Sequence, residues 1–190
     1  TSWPVAKGNY SGCDFGGGTD ISLIYNAPHS TSYFAAPSKF DFFGGYDEGW
    51  DAGVIHIADH HISPGKKMFT WGRDQNAKSW ETKLTDTDGP YCELMAGVYT
   101  DNQPDFTWLA PYETKSFSQY WYPITKTGVP DYADLQCSVT VKGDKVSVAS
   151  TSALPDVRVR LSVGDEELCD ELTEFKDATT LNFKLSRKVN

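Results

Sequence analysis

Glu93 sits in the stretch Tyr91–Thr100 (YCELMAGVYT), where the residue types suit chemistry if the segment is a β-strand. Side chains alternate along a strand, so Cys92, Leu94, Ala96 and Val98 fall on one face, and Tyr91, Glu93, Met95, Gly97 and Tyr99 on the other. A carboxylate flanked by tyrosines suits general-base work, because partial desolvation raises its pKa while the rings stack on the apolar face of a sugar. A surface strand carrying one exposed acid is the simpler alternative. The segment HIADHH offers His56, His60 and His61 within six residues. On a strand, His56 and His60 share a face but stand ~13 Å apart, too far for one metal ion, and Asp59 and His61 on the other face are ~7 Å apart. No metal site is therefore expected, and His56 and His60 are read as hydrogen-bonded histidines beside a polar cleft.

Lys66 and Lys67 follow the Pro64-Gly65 turn and could grip an anionic substrate, although exposed turn lysines are the default. Trp71, Trp80, Trp108 and Trp121, with Tyr120 and Tyr122, could serve as sugar platforms, although most large aromatic side chains are simply core. Phosphate-binding loops, the Gly-x-Ser-x-Gly elbow and the dinucleotide fingerprint are absent, since Gly16-Gly17-Gly18 has the wrong spacing. No cofactor is expected.

The elements that must hold these residues read as all-β, in an antiparallel sandwich. Gly53–His61 reads as a strand, Ser63-Pro64-Gly65 as a turn, and Lys67–Gly72 as the returning strand. Arg73–Ser79 and Asp101–Trp108 read as long loops, where ligands are commonly met in β proteins. Further on, Cys137, Val139 and Val141 alternate with polar residues, as do Val157, Val159, Leu161 and Val163, and then Leu181, Phe183 and Leu185. Glu166–Phe175 fits either a short helix or a Glu-rich strand. All six tryptophans, and all aromatics except Tyr132, Phe175 and Phe183, lie at or before Tyr122. That shift, with the Pro- and Gly-bearing stretch 123–130, places a boundary between an aromatic-rich region 1–124 and a second β segment, 125–190, Ig-like in general shape.

Composition narrows the partners. Seventeen basic against 26 acidic side chains give a net charge of −9, which opposes nucleic-acid binding and anionic membranes. Residues 1–65 hold only Lys7 and Lys39 as basic residues, so an acidic cleft would involve that third. Cys13, Cys92, Cys137 and Cys169 are widely spaced, as expected of free thiols, and that reading leans to a cytoplasmic location, with secretion as the alternative. The opening Thr1-Ser2-Trp3-Pro4 has no initiator Met and no signal-peptide h-region, as expected of a piece of a longer protein.

The chain resembles two levels of the galactose-mutarotase-like supersandwich superfamily. The segments Gly65-Lys66-Lys67-Met68-Phe69-Thr70-Trp71-Gly72, then Trp80, then Tyr91-Cys92-Glu93-Leu94-Met95-Ala96-Gly97 resemble the pattern of the DUF5107 family, whose members are long bacterial proteins often carrying tetratricopeptide repeats. More distantly, Glu93, Asn102-Gln103-Pro104 and Pro111-Tyr112-Glu113 are similar to segments of aldose 1-epimerases. Met95 stands where both families tend to have Gln, and no segment matches the epimerase motif that supplies the histidine acid. The resemblance covers roughly residues 30–124 and implies the second half of a supersandwich, with an upstream half and tetratricopeptide repeats of the same polypeptide as its partners. It implies a carbohydrate ligand, with Glu93 as general acid or base at an anomeric centre and His56, His60, Lys67, Trp71, Asn102 and Gln103 as substrate-binding residues. An epimerase-like or glycoside-hydrolase-like activity would be weak in this piece alone. A non-catalytic glycan-binding module, or a structural β-module of a multidomain protein, are the alternatives.

Overall fold

A computed structural model describes residues 5–10, 12–35, 37–100 and 106–189. Among the described residues, four two-residue strands come first: β1 (Val5–Ala6), β2 (Asn9–Tyr10), β3 (Cys13–Asp14) and β4 (Thr19–Asp20). Then come β5 (His29–Phe34), β6 (Phe42–Asp47), β7 (Ala52–Ile57), β8 (Gly65–Gly72), helix α1 (Gln75–Leu84), β9 (Cys92–Gly97) and β10 (Tyr120–Thr125). The chain finishes with β11 (Tyr132–Ala133), β12 (Cys137–Ser150), β13 (Leu154–Val163), β14 (Glu166–Phe175) and β15 (Thr180–Val189). Every strand pairing is antiparallel, and the class is all-β and sandwich-like. No helix among the described residues is long and apolar enough to cross a membrane.

Two compact units are formed, residues 1–39 with 59–117, and residues 40–58 with 118–190. The first is organised by the sheet β5–β8–β9. Its register places Tyr33 opposite Met68, and Met68 opposite Leu94. Antiparallel partners point to the same face, so these three side chains meet on one side, where they close a core with Phe15, Ile21 and Ala27. Leu94 of β9 thus packs inward, whereas Cys92 at the start of the strand is exposed, and Glu93 lies on the reverse face with Met95. Behind β8, Asp74 caps α1, its Oδ1 accepting from Ala77 N at 2.8 Å, and Ala77 is the helix residue that is fully buried.

In the second unit, sheet β10–β7–β6 puts Ile55, Ile57 and Ile124 on one face, in a core with Ala133 and Ala149. The remaining strands form two sheets, β11–β12–β15 and β13–β14, which share a core of Val146, Val148, Leu168, Cys169, Phe175 and Leu185. Leu168 and Cys169 are adjacent yet both buried. The register explains this: Cys169 opposes Leu161 while Glu167 opposes Ser162, so Leu168 is the extra residue of a bulge. Glu166–Phe175, open between helix and strand in sequence, is a strand because its partner β13 supplies the matching ladder. All four cysteines are free thiols.

Three expectations are corrected. The strands around residues 53–61 and 67–72 do not form a hairpin: β7 pairs with β6 and β10, whereas β8 pairs with β5 and β9. The strand also ends at Ile57 rather than His61, because the Asp59 carbonyl captures the amides of Ile62 and Ser63 at 3.1 and 2.8 Å and turns the chain. Finally, most of Arg73–Ser79 belongs to the start of α1 rather than to a loop, the Asp74 cap supplying the helix start.

Candidate functional site

The reverse face of β5–β8–β9 carries three rows of side chains set by register. Glu93 stands opposite Phe69, and Phe69 opposite Ser32; one step along, Met95 opposes Lys67, and Lys67 opposes Phe34. Trp71 continues the β8 row on the same face, two residues beyond Phe69. Glu93 is half-buried there, and its Oε1 accepts from the Tyr91 hydroxyl at 3.0 Å. That bond holds the Tyr91 phenol above its ordinary pKa, so the phenol stays the donor and the carboxylate the acceptor. Among the described residues, the Tyr91 hydroxyl is the hydrogen-bond partner of the Glu93 carboxylate. Tyr91 therefore fixes one carboxylate oxygen on the same face of the sheet.

The aromatic residues of this face are engaged with one another. The Trp71 ring stacks on Trp80 of α1 at 4.7 Å and 9°, and meets Phe69 edge-on at 5.2 Å. Trp71 Nε1 is buried with no hydrogen-bond partner among the described residues. Trp80 keeps 37% of its surface exposed, with Lys83 Nζ at 5.0 Å from its ring. Trp80 thus presents an open ring on this side, brought there by α1, while Trp71 is half-buried. Lys67 is partly buried, with Nζ 5.7 Å from the Phe34 ring, and Lys66 on the opposite face is 1% exposed, so the two lysines do not form a joint exposed grip.

The histidines separate. His56 belongs to the second unit, where it is fully buried between Phe43 and Trp121, ring centroids 5.0 and 4.6 Å away. His60 belongs to the first unit, in the turn that follows β7. That turn is tied to the far end of β9: Tyr99 N donates to Ile62 O at 2.7 Å, and Ser63 Oγ to Gly97 O at 3.2 Å. Glu93 lies four residues back along β9 from Gly97, roughly 13 Å at strand rise. The turn also overturns the expected spacing of Asp59 and His61, whose Oδ1 and Nδ1 are 3.0 Å apart. Asn102 and Gln103 lie outside the described residues, as do Asp101 and Asp105.

Sequence reasoning named Glu93 and its tyrosine but missed Phe69, which the β8–β9 register sets across from the carboxylate. The alternation of Lys67, Phe69 and Trp71 in β8 was the available signal. It also missed the helix that carries Trp80, for which Asp74 ahead of Ala77 and Leu84 was the cue.

No solved structure matches the chain. The family model described as "Domain of unknown function (DUF5107)" matches residues 15–124, which takes in the sheet β5–β8–β9, α1 and Glu93. Because that match spans more than half of the 190 residues, the chain belongs to the DUF5107 family.

Proposed function

We propose that this chain is part of a carbohydrate-active protein, in which the reverse face of β5–β8–β9 meets a sugar and Glu93 exchanges a proton at the anomeric hydroxyl. One observation carries this reading: a half-buried carboxylate, oriented by the Tyr91 hydroxyl at 3.0 Å, lies opposite an aromatic ring on the sheet face that does not form the core. A carboxylate in that setting accepts a hydrogen bond from a sugar hydroxyl, and partial shielding by Phe69 and Tyr91 strengthens the contact. Turnover needs a second acid–base group on the other side of the anomeric centre. His60 stands at the Gly97 end of β9, away from Glu93. This favours recognition as the part played by the isolated chain, with catalysis completed by further residues of the same polypeptide. The Ig-like reading of the C-terminal strands and a cytoplasmic setting belong to the same proposal.

Saturation-transfer NMR against a panel of free aldoses, with a polarimetric assay of mutarotation, tests the proposal. At least one aldose should receive saturation from the wild-type chain and from Glu93→Gln. Glu93→Gln in the whole polypeptide should lower turnover by ~10²-fold or more. Absence of transfer to every aldose in the panel, or unchanged turnover in Glu93→Gln, would refute it.

A further inference from the structure

We propose that the turn Asp59-His60-His61 is a binding site for a late first-row divalent cation, with zinc as the reference ion. The ligand atoms that these three side chains offer lie within 4.8 Å of one another. Consecutive residues of an extended strand point to opposite sides, yet here the His60 and His61 rings are only 3.8 Å apart, centroid to centroid. The backbone causes this. Asp59 Oδ1 accepts from His61 N at 2.8 Å, and Asp59 O accepts from Ile62 N and Ser63 N at 3.1 and 2.8 Å. The chain is thereby curled so that both imidazoles swing to the side of the carboxylate.

The turn is not loose. Beyond it, the backbone bond from Tyr99 to Ile62 and the Ser63 bond to Gly97 anchor it to β9. His61 and Asp59 are well exposed, with 78% and 54% of their side-chain surfaces open to solvent, so an ion can reach them without unfolding.

Two imidazoles and one carboxylate suit zinc, copper or nickel and are a poor set for magnesium or calcium, which want oxygen ligands. Zinc–ligand bonds of ~2.0–2.2 Å at tetrahedral angles put ligand atoms roughly 3.4 Å apart. Asp59 Oδ1 and His61 Nδ1 already stand at 3.0 Å. No pair of ligand atoms stands more than 4.8 Å apart, a gap of the size that side-chain rotation spans. Three protein ligands leave a coordination position for water or another small ligand, the arrangement of an exchangeable rather than a closed structural site. This inference is independent of the sugar proposal, since Glu93 takes no part in it.

The experiment is calorimetric titration of chelator-treated chain with zinc chloride, repeated with magnesium chloride and with cobalt chloride under visible absorption. One zinc per chain should bind, with no magnesium heat. Cobalt should give ligand-field bands without a thiolate charge-transfer band, since Cys13 and Cys92 are free thiols that could compete. His61→Asn should weaken zinc at least tenfold, the smallest loss seen when even a supporting residue of a metal site is removed. Asp59→Asn keeps the oxygen that accepts from His61 N, so the turn survives, and it should also weaken zinc tenfold or more. Zinc affinity unchanged in a His60→Asn/His61→Asn double variant, a cobalt–thiolate band, or no zinc uptake by the wild type would each overturn the proposal.

Discussion

Replacing Gly72 by alanine tests the packing that positions the candidate face. Gly72 is the last residue of β8, one position after Trp71, and pairs with His29 of β5. Its φ of +78° lies in the left-handed region, where a β-carbon costs ~1–2 kcal/mol. In addition, a β-carbon there would stand 2.5–2.6 Å from the backbone N, Cα and C of His29, too close for backbone atoms that cannot rotate away. The end of β5 must therefore draw back, at a packing cost of ~1–3 kcal/mol. The sum, about 2–5 kcal/mol, is a large share of the ~5–15 kcal/mol that holds a domain together. At ~2–4 °C per kcal/mol for a chain of this size, the midpoint should fall by about 4–20 °C.

Gly8→Ala is the matched control, because Gly8 belongs to the same unit and has φ +62° but nothing within 4 Å of the added carbon. It should lose only the left-handed cost. Urea and thermal unfolding, followed by the near-UV circular dichroism of the stacked Trp71–Trp80 pair, report on the right unit. If Gly72→Ala were no less stable than Gly8→Ala, the close approach of β8 to β5 would be wrong, and with it the placement of Trp71.

Three further outcomes are expected. Asp74→Ala removes the cap of α1 and should cost ~0.5–2 kcal/mol, and the weakened near-UV signal of the Trp71–Trp80 stack should show that the helix has loosened on β8. Arg187 grips Glu166 through Nε at 3.0 Å and Nη2 at 2.6 Å and holds that carboxyl below its usual range, so the pair stabilises the fold above the ordinary glutamate pKa and that contribution is lost as pH falls through the lowered folded value; NMR titration should show the Glu166 midpoint rising in Arg187→Gln relative to the wild type. Burial pushes the Cys137 thiol up to about 11. At pH 8 its thiolate fraction, and so its alkylation by iodoacetamide, should be roughly 200-fold below that of an ordinary thiol until the chain is unfolded in urea.

The faces of strands were legible, and their partners were not. Period-2 alternation set Leu94 and Glu93 on opposite faces, and the same alternation in Leu181, Phe183 and Leu185 marked side chains that do line a core. Alternation says nothing about which strand lies alongside, because the same two-faced pattern satisfies any antiparallel neighbour. Proximity in sequence suggested that residues 53–61 pair with 67–72, but Asp59 turns the chain before a hairpin can close. That turn also brought Asp59 and His61 together where strand geometry had held them ~7 Å apart. Helix α1 escaped notice because a single buried residue, Ala77, and the stack of its Trp80 on Trp71 hold it, so it has no apolar stripe to read. Lys66 was misread because a turn lysine is normally exposed, whereas here it is the first inward side chain of β8 after Gly65.

The interleaving of the two units has a consequence for the order in which the chain can fold during synthesis. Residues 1–39 and 59–117 are complete once position 117 has emerged, and their main sheet joins strands from one continuous stretch interrupted once. The hairpin β6–β7 emerges much earlier, but one edge of β7 is filled only by β10, whose Trp121 arrives 65 positions after its partner His56. Until then, β7 presents unpaired amides and carbonyls and the side chains of Ile55 and Ile57, the features that template pairing between chains. A nascent chain stopped between residues 60 and 118 is therefore the aggregation-prone species, and slow elongation across that interval should lower the yield of soluble protein more than slow elongation after residue 125.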